Sequence, residues 1–158
     1  KLETNLPAIV SQYNLTNNSP HVKIYEGAEG IKKVWFDSLD SEDEILTMGD
    51  AENLIKNFSK INIEYVKERK RKQIKKRAIT LDSPYNQTII DNLNDNLTKT
   101  KLIKQEQCDF KNTIVQIYNN KVSFTTLTPE SAIAIIVSDP HISALHRSIF
   151  NYIWKNLD

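Results

Sequence analysis

Glycine and cysteine are scarce in this chain, and neither sign of charge is in excess. Gly27, Gly30 and Gly49 are the only glycines in 158 residues, too few for a glycine-rich phosphate cradle. Cys108 is the only cysteine, which excludes a disulfide framework and a cysteine-built zinc site and fits a reducing compartment. There are three histidines. His141 and His146 are five apart, about 140° around a helix, so they cannot act as an i, i+4 metal pair. The acidic group Asp40, Glu42, Asp43 and Glu44 lacks the ligand spacing and central glycine of a calcium loop. No G-x-S-x-G nucleophile elbow occurs, and no motif places a base beside Cys108. These absences predict no metal and no cofactor. No apolar run approaches the ~20 residues of a membrane span, and no signal-peptide pattern is visible. Lys and Arg number 21 against 20 Asp and Glu, a formal net charge of +1. That balance argues against a nucleic-acid surface over the whole domain.

The length suits one domain with its own core, and 39% hydrophobic with 26% charged residues is an ordinary globular composition. Residues 1–14 place Leu2, Leu6, Ile9, Val10 and Tyr13 on one helical face, with Pro7 in the first turn. Residues 21–27 alternate as a strand, and Ala28–Leu39 follow as a helix with Trp35 in the core. Residues 44–50 are a second strand, leading into a helix with Leu54, Ile55 and Phe58. Residues 60–76 are helical and feed a third strand at 77–81. Residues 84–100 suit a surface helix, and Leu102-Ile103 a short edge strand. The densest apolar stretch runs from Asn112 to Trp154. It reads as two strands around Asn119-Asn120, a third strand within 131–139, and a helix started by Asp139-Pro140. On that helix Ile142, Leu145, Ile149, Ile153, Trp154 and Leu157 suit a stripe facing a sheet. Alternating strands and helices predict an α/β fold with a mixed, mostly parallel central sheet flanked by helices.

Charge is densest from Lys67 to Arg77, where eight of eleven residues are Lys or Arg. The main reading is a solvated helix end, where cations complement the dipole. Lys70, Arg71 and Lys72 are the candidates for an anion contact or a DNA phosphate contact. No aromatic side chain lies within the run, so base stacking is not indicated.

Two stretches together resemble TrmB-type transcriptional regulators of archaea and bacteria. LPAIVSQYN followed by PHVKIYEGAEGIKKVWFDSL is similar to the junction where a helix leaves the winged-helix domain. Tyr25-Glu26-Gly27 with Glu29-Gly30-Ile31 is its most specific part. SAIAIIVSDPHISALHRSIFNYIW is similar to the end of that family's regulatory domain, and the basic helix feeding RAITL matches between them. The resemblance implies a connecting or dimerisation helix over 1–14 and a single phospholipase-D-like regulatory domain over 20–158. It further implies a cytoplasmic homodimer that meets DNA through an N-terminal domain outside this chain and could respond to a small-molecule effector.

Phospholipase D enzymes carry H-x-K-x-x-x-x-D on a strand and turn, followed by Gly-Ser. Laid on this sequence, those positions hold Asn112, Ile114 and Asn119, with Thr126-Leu127 at the Gly-Ser. No histidine occurs between residues 22 and 140. There is no imidazole to attack phosphorus and no lysine to neutralise phosphoryl oxygens, so the expectation is a non-enzyme. By analogy with open α/β sheets, a ligand site should lie near strand C-termini. Glu26, Asn112 and Asn119 are the candidate polar groups, each also explicable as a turn or cap. The alternatives are a phospholipase-D-like phosphodiesterase or nuclease, and a dimerisation module without a ligand.

Overall fold

The computed structural model describes residues 21–158; the predicted helix over 1–14 lies outside the described residues. Seven strands form one sheet: β1 (Val22–Glu26), β2 (Ile45–Gly49), β3 (Lys76–Leu81), β4 (Thr98–Ile103), β5 (Thr113–Tyr118), β6 (Lys121–Thr126) and β7 (Ile133–Ser138). Their order across the sheet is β1-β7-β6-β5-β2-β3-β4. The helices are α1 (Gly27–Asp37), α2 (Ala51–Asn57), α3 (Ser59–Arg71), α4 (Pro84–Leu93) and α5 (Pro140–Lys155), with a 3-10 turn at Ser38–Asp40.

The sheet is mostly antiparallel, not mostly parallel as the sequence suggested. Only β2·β3 and β3·β4 are parallel; β1·β7, β7·β6, β6·β5 and β5·β2 are antiparallel. A parallel neighbour needs a long crossover, and only the helical links of the first half supply one. From residue 113 onward the links are short, so β5, β6 and β7 fold back on one another as a meander. Asn119 turns the first hairpin with φ of +48°, a conformation asparagine tolerates. The strand–helix–strand unit at the N-terminus also misled, because β1 pairs with β7 at the far edge rather than beside β2.

Two apolar layers sandwich the sheet. One face meets α1, α2 and α3 through Ile31, Val34, Trp35, Phe58 and Tyr65, against Ile45, Ile114, Tyr118 and Ile136 of the strands. Trp35 is buried there as expected and donates through Nε1 to Thr125 Oγ1 at 3.2 Å. The opposite face carries Leu46, Ile79, Ile117 and Val122 under Phe150 of α5. Asp139 caps α5 by accepting from the backbone N–H groups of His141 and Ile142, both at 2.9 Å.

The inward face of α5 holds only part of the predicted stripe: Ile153, Trp154 and Leu157 pack against the core beside Phe150. Ser143 and Phe150 are buried, while Ile142, Leu145, Ile149 and Tyr152 are 39%, 57%, 44% and 73% exposed. Apolar residues occupy more than one side of this helix, and periodicity cannot say which side the sheet takes. Residues 84–100 also divide differently: the helix stops at Leu93 and Thr98–Ile103 forms a full edge strand. Threonine at 98 and 100 suits a strand better than a helix.

Gly27 and Gly30 explain the Tyr-Glu-Gly motif structurally. Gly27 starts α1 with φ of +72°. A Cβ on Gly30 would lie 2.7 Å from Tyr25 Cβ, so glycine lets α1 rest on β1.

Candidate functional site

The three polar candidates do not converge. Glu26 ends β1 and Asn112 precedes β5, at the same end of the sheet but three strand spacings apart, roughly 14 Å. Asn119 sits at the opposite end, beyond Tyr118 of β5. Glu26 is exposed and makes no side-chain cap to α1. The Asn119 side chain ties the acidic loop down: Oδ1 accepts from the Glu42 backbone N–H at 3.1 Å and Nδ2 donates to the Asp40 carbonyl at 3.3 Å.

Asn112 is held in a structural network at the C-terminal end of β2. Its backbone N–H donates to Asp50 Oδ2 at 2.8 Å, and its Oδ1 accepts from Asn53 Nδ2 at 2.7 Å. Asn53 Nδ2 also donates to the Leu127 carbonyl at 3.1 Å, and Asp50 Oδ1 caps α2 through the Asn53 N–H at 3.2 Å. Asn112 has φ of +59°, which suits asparagine. Ile114 is buried against Gly49, where a Cβ would stand 2.9 Å from Ile114 Cγ1. Thr126 Oγ1 accepts from the Ile133 N–H at 2.9 Å, and Leu127 is buried. The positions that the sequence resemblance sets against the enzyme motif thus hold apolar packing and neutral amides. His141 and His146 lie on α5 across the sheet, and His21 lies before β1 beside Ser138. Among the described residues no group of His, Cys, Asp and Glu could hold a metal ion, and no helix is long and apolar enough to cross a membrane.

Three of the eight cations of the run, Lys70, Arg71 and Lys72, are paired at the surface. Lys70 meets Asp95 at 2.6 Å, Arg71 meets Glu68 at 2.6 Å, and Lys72 lies 3.6 Å from Asp40 while donating to the Leu39 carbonyl at 3.1 Å. The Asp95 carboxyl falls to about 2, chiefly through its hydrogen bond from Lys70. Arg77 leaves the run for the other sheet face, where it pairs with Glu44 at 2.7 Å and lies over the Phe150 and Trp154 rings.

Two members of the run turn inward, and sequence reasoning missed both. Arg69 is 2% exposed on the inner side of α3, and Lys76 opens β3 on the sheet face that α3 covers. Together they line a cavity of about 150 Å³ between β2, β3 and β4 below and α2, α3 and α4 above. A signal was present: Arg69 lies four residues after Tyr65, so both share the buried side of α3. The lysine-rich composition hid it.

No known family profile matches the chain, and no curated protein matches it. Solved structures define the fold as phospholipase-D-like. Nuc from Salmonella typhimurium, a phospholipase D family member, is 9% identical with a TM-score of 0.63, covering 87% of this chain and 95% of that one. NucT from Helicobacter pylori is 14% identical with a TM-score of 0.59, covering 86% and 98%. The archaeal chromatin protein TrmBL2, whose structure shows a novel mode of DNA binding, is 16% identical with a TM-score of 0.57, covering 99% of this chain. The present chain spans 63% of the TrmBL2 chain. At these identities the likeness is one of fold.

Proposed function

We propose that this chain is a non-catalytic, phospholipase-D-like regulatory domain of a TrmB-like transcriptional regulator, sensing an effector, dimerising, or both. The observation that carries the reading is the state of the strand and turn where the enzyme class keeps its nucleophile. Asn112 is locked into hydrogen bonds with Asp50 and Asn53, and Ile114 is packed on Gly49. An amide cannot supply the phosphorus nucleophile, and a buried isoleucine cannot neutralise a phosphoryl oxygen. Likeness to TrmBL2 along almost the whole chain supports the regulator class. Likeness to the two Nuc proteins supports the nuclease alternative by fold, while Asn112 and Ile114 at the aligned positions weigh against it. DNA contact belongs in this reading to a winged-helix domain outside the chain. The exposed side chains Ile142, Leu145, Ile149 and Tyr152 of α5, with Val22 and Ile24 of β1, support a homodimer that buries apolar surface.

The test is turnover. Purified protein incubated with bis(p-nitrophenyl) phosphate and with single- and double-stranded DNA is expected to release no product above buffer. Hydrolysis that co-purifies with the protein and disappears in Asn112→Ala would establish the nuclease reading instead.

A further inference from the structure

The inward-turned cations leave an imbalance that nothing else in the described fold removes. Arg69 carries five N–H donors. Nη1 donates to the Ile74 carbonyl at 2.7 Å and Nη2 to Thr98 Oγ1 at 2.6 Å, both uncharged acceptors. Its Nε is buried without a partner. The acid nearest in effect, Asp95, is already bound to Lys70. Lys76 Nζ lies 5.7 Å from the centre of the Tyr65 ring and, among the described residues, reaches no carboxylate. Thr47, 6% exposed on the cavity floor, presents an Oγ1 with no partner. A buried charge is ordinarily paired, because desolvation without a counter-charge is costly. Here a guanidinium, an ammonium and a hydroxyl line one cavity, and the one carboxylate at its rim, Asp95, is already bound by Lys70.

The rest of the wall is apolar, with Leu54, Val66 and Leu93 among its members. A cavity of about 150 Å³ accommodates a body roughly the size of benzene. The Nε edge of a guanidinium matches a carboxylate fork.

We propose that the cavity between α3 and the β2–β4 face is a binding site for a small organic carboxylate, with Arg69, Lys76 and Thr47 holding the head and the apolar wall holding a compact body. This gives the effector-sensing reading a ligand class and rests on that reading for its consequence, though not for binding itself. Burial, and then the neighbouring Arg69, bring the Lys76 ammonium down to about 7. The groups facing it are Arg69 and Tyr65 from α3, with the Asp95–Lys70 pair at the rim. A carboxylate placed between the two cations favours the protonated lysine, so binding takes up a proton above neutral pH.

Benzoate serves as the probe, with benzyl alcohol, phenyl phosphate and inorganic phosphate beside it, titrated calorimetrically into the whole chain. Benzoate is expected to bind at least tenfold more tightly than benzyl alcohol and than inorganic phosphate. Its affinity should fall at least tenfold between pH 6.5 and 8.5. Lys76→Met should lower benzoate affinity at least tenfold at pH 6.5 and abolish the pH dependence, while Lys67→Met, exposed and outside the cavity, should change neither. Retained circular dichroism and a cooperative melt for Lys76→Met keep the comparison interpretable. Equal binding of benzoate and benzyl alcohol, no binding, or full affinity in Lys76→Met would overturn the site. Tighter binding of either phosphate would overturn the carboxylate assignment. Turnover and benzoate binding are read separately, so loss of one proposal leaves the other standing.

Discussion

In the unfolded chain Lys76 titrates near its ordinary value of 10.5; in the fold it falls to about 7. Between those values the unfolded chain holds a proton that the folded one has released. Acidification from 10.5 to 7 therefore favours unfolding, and below about 7 both states are charged and the cost is constant. Lys76→Met removes that cost. The variant should melt at a higher temperature than the parent at pH 7, and the difference should shrink steadily as pH approaches 10. Paired thermal melts across pH 7–10 in the absence of ligand check this, and a constant or reversed difference would show that the ammonium is not desolvated. A lysine held at such a position lowers stability in the free protein and offsets that loss only when an anion arrives. Arg69 and Lys76 were illegible as a site because each sits among exposed cations. Charge runs report composition, whereas the direction of a side chain depends on helix phase and on which sheet face the helix covers.

At the scale of elements, α5 is fixed to the sheet by a narrow strip. Phe150 is fully buried and stacks on Trp154 with ring centres 5.8 Å apart. Lys101 reaches from β4 to the Trp154 and Leu157 carbonyls at 3.0 and 2.8 Å, satisfying the helix C-terminus. Phe150→Ala should cost about 3–5 kcal/mol by urea unfolding. Leu145→Ala, on the outward face, should stay within about 0.5 kcal/mol for the monomer. Comparable losses from both would mean that the outward face is covered in solution. Most elements here were legible: alternation marked β1, the Asn-Asn turn set the β5–β6 hairpin, and Asp139-Pro140 set the start of α5. Strand direction was not, since it depends on which strands become neighbours, and the inward side of α5 was not, since apolar residues occupy both. The residues at Asn112, Ile114 and Asn119 could be compared with the enzyme motif from sequence alone, because that comparison needs only residue identity at fixed spacing from a turn.

Across the described residues, seven cations are paired locally with carboxylates. Lys32 pairs with Glu64, Arg77 with Glu44 and Lys121 with Asp37 at 2.7, 2.7 and 2.8 Å, and Lys70, Arg71 and Lys72 of the basic run are paired in the same way. A DNA-binding face needs cations free to displace counterions from phosphates. Three such contacts would give a slope of log affinity against log salt near −2.7, from about −0.9 per contact. Lys70, Arg71 and Lys72 would first have to leave Asp95, Glu68 and Asp40. Fluorescence anisotropy with a labelled duplex is therefore expected to show weak binding with a slope well short of that value. Reversing all three to Glu should change affinity by less than about threefold, because each reversal also breaks a pair that already neutralised the charge. A steep slope that flattens on reversal would assign the outer face of α3 to DNA. A shallow, unaltered slope would leave Arg69 and Lys76 as the members of the run that turn inward without a carboxylate of their own.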